Sequence, residues 1–142
     1  MQVPIRRIDK GLPLPEYKTP GAAAMDCLAR VDVVISPKTT GYVPLNIAVK
    51  PPQGHFVFLA PRSSLHKRGL FMANSVAIGD EDFAGDNDEY AAALYNITDL
   101  PIEVKRGERL LQMLILPFDR IEWKEVETLG QPDRGGFGTT GI

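Results

Sequence analysis

Phosphate-binding chemistry is possible at residues 61–65, where the sequence reads Pro-Arg-Ser-Ser-Leu directly after an apolar run. Arg62 places a guanidinium beside two hydroxyls, those of Ser63 and Ser64. A guanidinium binds phosphate oxygens in a bidentate manner, and the turn that ends a strand leaves backbone N–H groups available for the same anion. The segment therefore predicts a phosphate contact. The alternative is an ordinary turn in which a serine caps a short helix.

A second candidate lies in an acidic run that carries six carboxylates within residues 80–89, namely Asp80, Glu81, Asp82, Asp86, Asp88 and Glu89. The spacing fails as an EF-hand, because positions 5 and 12 of a calcium loop beginning at Asp80 are alanines. The partly apolar lead-in at residues 74–78 favours a position for Asp80 near the interior. A half-desolvated carboxylate there can act as a general base toward water. A solvated acidic loop is the alternative.

The third candidate is the glycine-rich segment at residues 134–141, which reads Arg-Gly-Gly-Phe-Gly-Thr-Thr-Gly. Its glycines leave backbone amides bare, Arg134 supplies a cation, and Phe137 supplies an aromatic ring between them. This composition suits phosphate contact combined with stacking on a base. The alternative is a disordered tail.

The elements that must position these groups are expected to be strands. Twelve prolines and thirteen glycines are spread along the chain and divide it into short segments, as in a many-stranded β domain. Candidate strands are residues 31–36, 42–49, 55–60, 71–74, 90–96, 102–105, 109–116 and 120–127. The helical signal is limited to a turn or two at residues 63–68. We therefore predict one all-β domain of 142 residues, with a β core at 1–129 and a mobile C-terminal arm at 130–142.

Charge and composition exclude several classes of protein. Sixteen Lys and Arg against eighteen Asp and Glu give a net charge of −2, so we expect no nucleic-acid partner held by bulk positive charge. The single cysteine, Cys27, excludes an internal disulfide, and we expect it to be a small buried residue. No apolar run reaches about 18–20 residues, and the first residues lack a signal-peptide pattern. We expect a cytoplasmic protein with no membrane partner.

Five segments, taken in order, resemble the motifs of the trimeric dUTP diphosphatases (dUTPases). They are residues 12–29, 61–65, 74–85, 106–112 and 134–141. One such motif would be a weak signal, whereas five in order with family-like spacing cover most of the chain. The resemblance implies a jelly-roll-like, all-β subunit that assembles as a homotrimer with active sites between subunits. It also implies a tail that closes over a nucleotide.

The same resemblance assigns roles to residues of the acidic segment. Asp80 takes the place of the acid that orients and deprotonates the attacking water. Phe83 takes the place of an aromatic residue whose ring packs on the deoxyribose and leaves no room for a 2′-hydroxyl. Asn74 and the backbone of Ile78, Gly79 and Asp80 match the hairpin that reads uracil. The implied substrate partner is therefore dUTP.

The remaining roles concern the phosphates and the tail. The resemblance implies phosphate contacts by Arg62, Ser63, Ser64, Gln112 and Arg134. In the tail, it implies that the ring of Phe137 covers the base. It also implies contacts to the terminal phosphate by Gly138, Thr139 and Thr140. The implied reaction is water attack at the α-phosphate to give dUMP and pyrophosphate, which limits uracil incorporation into DNA and supplies dUMP for dTMP synthesis. Mg²⁺ is the implied cofactor, held mainly by the triphosphate and retained waters rather than by direct protein ligands.

The chain departs from the family pattern near the base and sugar. Phe83 lacks the phenol oxygen of the usual tyrosine, and Gly79 replaces a usual aliphatic residue just before the acid. Residues 86–89 make the third motif longer than its common form, beside the strand that lines the base pocket. These departures bear on selectivity more than on hydrolysis.

Other functions on the same fold are left open by the residues. A dCTP deaminase of the same superfamily would use a glutamate on the strand after the acidic loop; residues 90–95 carry no acid, although Glu89 lies at their entrance. A broader deoxynucleoside triphosphate pyrophosphatase is a second possibility. A trimeric nucleotide-binding module without activity is a third.

Overall fold

The computed structural model describes residues 1–136, which contain eleven β-strands and one short 3₁₀ helix. The strands are β1 (Ile5–Arg7), β2 (Met25–Leu28), β3 (Val33–Ile35), β4 (Thr40–Pro44), β5 (Ile47–Val49), β6 (His55–Pro61), β7 (Leu70–Met72), β8 (Ala77–Gly79), β9 (Ala91–Asn96), β10 (Ile102–Val104) and β11 (Arg109–Pro117); the helix is Leu65–Arg68. The predicted all-β class is confirmed. None of the helical structure in this part of the chain has the length and apolar character needed to cross a membrane.

The strands form four antiparallel sheets. One has the order β2-β11-β6-β8 and another the order β4-β9-β7, while β1 pairs with β5 and β10 pairs with β3. Strand β8 therefore lies at an edge of the first sheet, and β9 lies in the middle of the second. The acidic run at residues 80–89 joins these two strands, so it connects two different sheets.

A single hydrophobic core joins the sheets. Along β6 the side chains alternate, so that Val57 and Leu59 are fully buried while Phe56 and Phe58 are half-buried on the opposite face. The core cluster takes buried residues from strands of all four sheets, among them Cys27, Ile35, Ile47, Val57, Leu94 and Val104. The removal of this apolar surface from water is the main stabilising contribution to the fold.

Cys27 is buried, as predicted. Burial, with a smaller contribution from the neighbouring Asp26 carboxylate, raises the pKa of the Cys27 thiol to about 12. The thiol is therefore protonated at neutral pH and is not a nucleophile.

The predicted strand at residues 42–49 is two strands in the structure. Asn46 separates them because its backbone is left-handed, with φ of 69°. Its side chain stabilises this break: the Asn46 carbonyl oxygen accepts from the Asp9 N–H at 2.6 Å, and its amide donates to the Asp9 carbonyl at 3.0 Å. Pro44 ends β4, which lies at the edge of its sheet, where a residue without a backbone N–H is tolerated.

The predicted strand at residues 120–127 is wrong. These residues form no strand, and Ile121 and Trp123 are exposed, Trp123 by 90%. Alternating apolar residues indicate a face that must be covered, but no strand among the described residues lies beside this segment. The sequence reading also missed β1, β2 and β8, each only three or four residues long and therefore too short to show a clear alternation.

Candidate functional site

The first group of candidate residues surrounds a cavity between β8 and the start of β9. The cavity has a volume of about 220 Å³ and is lined by Leu59, Ala77, Ile78, Gly79, Asp80, Phe83, Glu89, Tyr90 and Ala91. Because β8 is an edge strand, one side of its backbone has no partner strand among residues 1–136. An unpaired strand edge leaves backbone N–H and C=O groups available to a ligand.

Asp80 follows β8 directly and lines this cavity, but its side chain is exposed. The predicted position near the interior, with a half-desolvated carboxylate, is therefore wrong, because Val76 and Ile78 of the apolar lead-in are themselves exposed. Its backbone carbonyl accepts from the Phe83 N–H at 3.1 Å, a turn that brings the Phe83 ring back over the cavity. The carboxylates of Glu81, Asp88 and Glu89 all accept hydrogen bonds, whereas that of Asp80 accepts none from residues 1–136. The carboxylates of Asp82 and Asp86 accept none from these residues either, but of these three only Asp80 lines the cavity. The predicted general base is therefore the cavity carboxylate that is open to a ligand or a water.

Tyr90 is a cavity residue that the sequence reading missed. Its ring packs edge-on against Phe83, with centroids 5.2 Å apart and an interplanar angle of 71°. A Cβ atom on Gly79 would lie 2.1 Å from the Tyr90 hydroxyl oxygen, so the ring occupies the space that a side chain at 79 would need. The signal was present in the sequence, because a glycine at an aliphatic position leaves a void that a nearby large residue must fill.

The lengthened acidic segment is tied to the body of the protein. The Asp88 carboxylate accepts from the Gly85 N–H at 2.7 Å and closes a tight turn. Glu89 accepts two hydrogen bonds from Arg30, at 2.7 and 3.0 Å, and a third from the Asn46 N–H at 2.9 Å. These carboxylates therefore hold the loop in place, and a fully solvated acidic loop is not what the structure contains.

The second group of candidate residues lies where β6, β11 and β2 meet. Arg62 follows β6, and its Nε donates to the Asp26 carboxylate at 2.8 Å. Gln112 of β11 lies opposite Asp26 of β2 and Ala60 of β6. Its side-chain amide donates to the Pro61 carbonyl at 3.0 Å. Arg109 also approaches Asp26, at 3.2 Å. The structure therefore brings two arginines, one glutamine and one carboxylate together.

Ser63 and Ser64 are exposed beside this group, at the start of the 3₁₀ helix. Ser64 occupies the N-cap position but makes no side-chain capping hydrogen bond. The capping alternative is therefore not observed. The sequence reading missed Asp26 and Arg109; a lone acid within the apolar residues 22–29 was the available signal for a carboxylate paired with a cation.

The two groups do not meet within one chain. Gly79 pairs with Val57 near the start of β6, whereas Arg62 follows its end. At about 3.3 Å per residue, these two points are about 16 Å apart along the strand. Asn74 is exposed in the turn that precedes β8, on the Arg62 side of that strand. One copy of the chain therefore presents two half-sites.

The predicted arm is described only in part. Residues 130–135, Arg134 included, are exposed and form no strand or helix. Phe137, Gly138 and Thr139 lie outside the described residues, so their predicted roles are untested.

Comparisons with known proteins agree on one family. A dUTPase family model matches residues 10–141. The deoxyuridine 5′-triphosphate nucleotidohydrolase of Dictyoglomus turgidum is 40% identical over 149 residues, covering 100% of this chain and 99% of that protein. The enzyme of the same name from Thermobifida fusca is 38% identical, covering 99% of this chain and 79% of that protein.

Solved structures give the same result for the fold. The dUTPase from Streptococcus mutans superposes with a TM-score of 0.77 at 28% identity, covering 84% of this chain and 98% of that one. A Staphylococcus bacteriophage 80alpha dUTPase G164S mutant with dUpNHpp has a TM-score of 0.84 at 20% identity and covers 99% of both chains. The latter likeness concerns the fold alone, and together they bear out the predicted jelly-roll-like architecture.

Proposed function

The chain belongs to the dUTPase family, and from this premise we propose that it hydrolyses dUTP to dUMP and pyrophosphate by water attack at the α-phosphate. The observation that carries the proposal is the carboxylate of Asp80, which lines a nucleoside-sized cavity and accepts no hydrogen bond from residues 1–136. Asp80 orients a water and accepts its proton as the water oxygen bonds to the α-phosphorus. The bond from that phosphorus to the bridging oxygen breaks, and pyrophosphate leaves with it.

The cavity between β8 and β9 holds the uracil and the deoxyribose in this proposal. Uracil carries one N–H donor and two carbonyl acceptors, which complement the N–H and C=O groups of an edge strand. The backbone of Ile78 and Gly79 binds the base. Phe83 is 38% exposed and braced by Tyr90, so its ring can form the wall against which the sugar packs. A rigid wall there leaves no space for a 2′-hydroxyl.

The phosphates bind to the group around Arg62. The Arg62–Asp26 ion pair uses Nε and fixes the guanidinium plane, and the terminal nitrogens are the ones we assign to phosphate oxygens. The hydroxyls of Ser63 and Ser64, the Gln112 amide and Arg134 complete the set. Preorganised donors of this kind stabilise the charge that develops on the phosphoryl oxygens in the transition state.

Mg²⁺ fits this site as an ion bound mainly by the triphosphate rather than by protein side chains. Within residues 1–136 no three His, Cys, Asp or Glu side chains form a group able to hold a metal ion, and Asp26 is already paired with two arginines. Mg²⁺ prefers phosphate oxygens and retained waters, so it needs few protein ligands. When bound, it would neutralise charge on the triphosphate oxygens.

We also propose that the active protein is a homotrimer whose sites form between subunits. The half-sites are about 16 Å apart along β6, so the Asp80 group of one copy and the Arg62 group of another must combine around one nucleotide. The segment after β11 exposes Ile121, Trp123 and Leu129, an apolar surface suited to another copy of the chain. The arm, with Phe137, Gly138 and Thr139, closes over the bound nucleotide.

The contacts of Glu89 favour hydrolysis over deamination. A deaminase would need a carboxylate free to move protons at the base, but Glu89 already accepts from Arg30 and from the Asn46 N–H. A broader pyrophosphatase would use the same Asp80 and phosphate groups with a looser base pocket. A binding module without activity would leave Asp80 with no role.

A substrate panel tests the proposed function. The protein is incubated with dUTP, dCTP, dTTP or UTP plus Mg²⁺, and pyrophosphate and ammonia are measured separately. We expect pyrophosphate release from dUTP, little from the other three, and no ammonia. Ammonia from dCTP would support the deaminase, and similar pyrophosphate release from dUTP, dCTP and dTTP would support the broader enzyme. Nucleotide binding without pyrophosphate would support the non-catalytic module.

A further inference from the structure

The Tyr90 hydroxyl is a buried polar group without a partner. The residue is 6% exposed, and its hydroxyl oxygen is the one buried side-chain polar atom among the described residues that makes no hydrogen bond. Leaving a hydroxyl desolvated and unpaired is unfavourable. A phenylalanine would fill the space over Gly79 and pack against Phe83 without this penalty. The hydroxyl therefore calls for a partner that residues 1–136 of the free protein do not supply.

The surroundings of this hydroxyl favour Asp80 as its hydrogen-bond acceptor, because Asp80 both lines the cavity and accepts no hydrogen bond from residues 1–136. Three carboxylates lie near Tyr90, and two of them already accept hydrogen bonds. Asp88 accepts from the Gly85 N–H, and Glu89 accepts from Arg30 and from the Asn46 N–H. The third is Asp80, which lines the same cavity and follows the glycine over which the hydroxyl sits. Burial first, and then the charges of Asp80 and Asp88, raise the pKa of Tyr90 to about 12. The phenol is therefore a neutral donor at any working pH.

We propose that Tyr90 is a positioning residue whose hydroxyl donates a hydrogen bond to the Asp80 carboxylate once a nucleotide occupies the cavity. The bond fixes the carboxylate toward the attacking water, in place of the many orientations open to an exposed side chain. This inference rests on the proposed function, because the contact has a catalytic effect only if Asp80 activates water. Tyr90 also supplies to this pocket the phenol hydroxyl that Phe83 lacks.

Tyr90→Phe tests the proposal because it removes the oxygen and keeps the ring. A hydrogen bond from a neutral donor to a charged acceptor contributes enough that we expect kcat for dUTP to fall about tenfold, with KM essentially unchanged. The matched control is Tyr42→Phe, the same change on a tyrosine of β4 that is 70% exposed, which should keep wild-type kinetics. An unchanged kcat in Tyr90→Phe would overturn the inference, and so would a rise in KM alone, which indicates ground-state contact with the nucleotide.

Thermal melting of the protein without nucleotide tests whether the Tyr90 hydroxyl lacks a partner before the nucleotide binds. Tyr90→Phe should melt at the wild-type temperature or above it, because the hydroxyl has no partner to lose. A clearly lower Tm would show a partner in the free protein and would overturn the inference. Wild-type protein without turnover would contradict the proposed function itself, so the two failures are distinguishable.

Tyrosine labelled with ¹³C at Cζ gives a direct spectroscopic readout. The chain has four tyrosines, and the Tyr90 resonance is the one missing from Tyr90→Phe. We expect this resonance to shift when dUpNHpp is added to the wild-type protein, and the shift to be lost in Asp80→Ala while the analogue still binds. A Tyr90 resonance that does not shift when the analogue is added, or that shifts equally in Asp80→Ala, would overturn the assignment of Asp80 as the partner.

Discussion

Asp80→Asn is expected to lower kcat for dUTP about a thousandfold, since general-base catalysis contributes about 10²–10⁴ in rate. Asparagine keeps the size and the acceptor oxygen of the side chain but cannot take a proton from water. KM and the affinity for dUpNHpp should change little, because the base and phosphate contacts lie elsewhere in the site. Steady-state pyrophosphate release and titration calorimetry with the analogue measure the two effects separately.

Asp86→Asn is the matched control for this variant. It makes the same chemical change in the same loop, on an exposed residue whose backbone carbonyl rather than its side chain contacts Arg6. We expect wild-type turnover from Asp86→Asn. Full activity in Asp80→Asn would mean that another group activates the water, and the mechanism proposed for this site would fail.

Two inactive variants are expected to restore activity when they assemble together. Arg62→Ala removes a charge-assisted contact to phosphate and should lower kcat/KM about a hundredfold. Trimers assembled from equal amounts of Asp80→Asn and Arg62→Ala chains would contain sites with Asp80 from one chain and Arg62 from the other. For random assembly of a cyclic trimer, about a quarter of the sites carry both intact groups. We therefore expect about a quarter of wild-type activity.

This complementation discriminates between a shared site and a site within one chain. If Asp80 and Arg62 of the same copy acted together, no mixed trimer would contain an intact site, and the mixture would be as inactive as its components. The mixture is prepared by unfolding and refolding the two variants together. Refolded wild-type protein sets the full-activity level, and each variant refolded alone sets the background.

The sequence predicted the groups of the site better than the strands that hold them. Arg62 and Asp80 stand out because a cation beside hydroxyls, or an acid after an apolar lead-in, has few structural uses. Strand β6, which Arg62 follows, was predicted, but β8, which Asp80 follows, and β2, which carries Asp26, are too short for a periodicity signal. The segment at residues 120–127 has the alternation of a strand, but a strand also needs a neighbour, which the described chain does not provide.

Tyr90 and Asp26 were missed for a different reason. The role of each depends on a contact with residues elsewhere in the sequence. Tyr90 packs over Gly79, and Asp26 pairs with Arg62 and lies opposite Gln112. The spacing of residues along a chain does not reveal which strands become neighbours across a sheet. The separation of the two half-sites is likewise a property of the register between β6 and β8, and it appears only once that register is known.

Hydrolysis of dUTP in H₂¹⁸O tests the central claim most directly, because the label marks the phosphorus that water attacks. The products of complete turnover with Mg²⁺ are separated, and their masses are measured. Attack at the α-phosphorus predicts one ¹⁸O atom in dUMP and none in pyrophosphate. Label in pyrophosphate with unlabelled dUMP would place the attack at the β-phosphorus and would contradict the account.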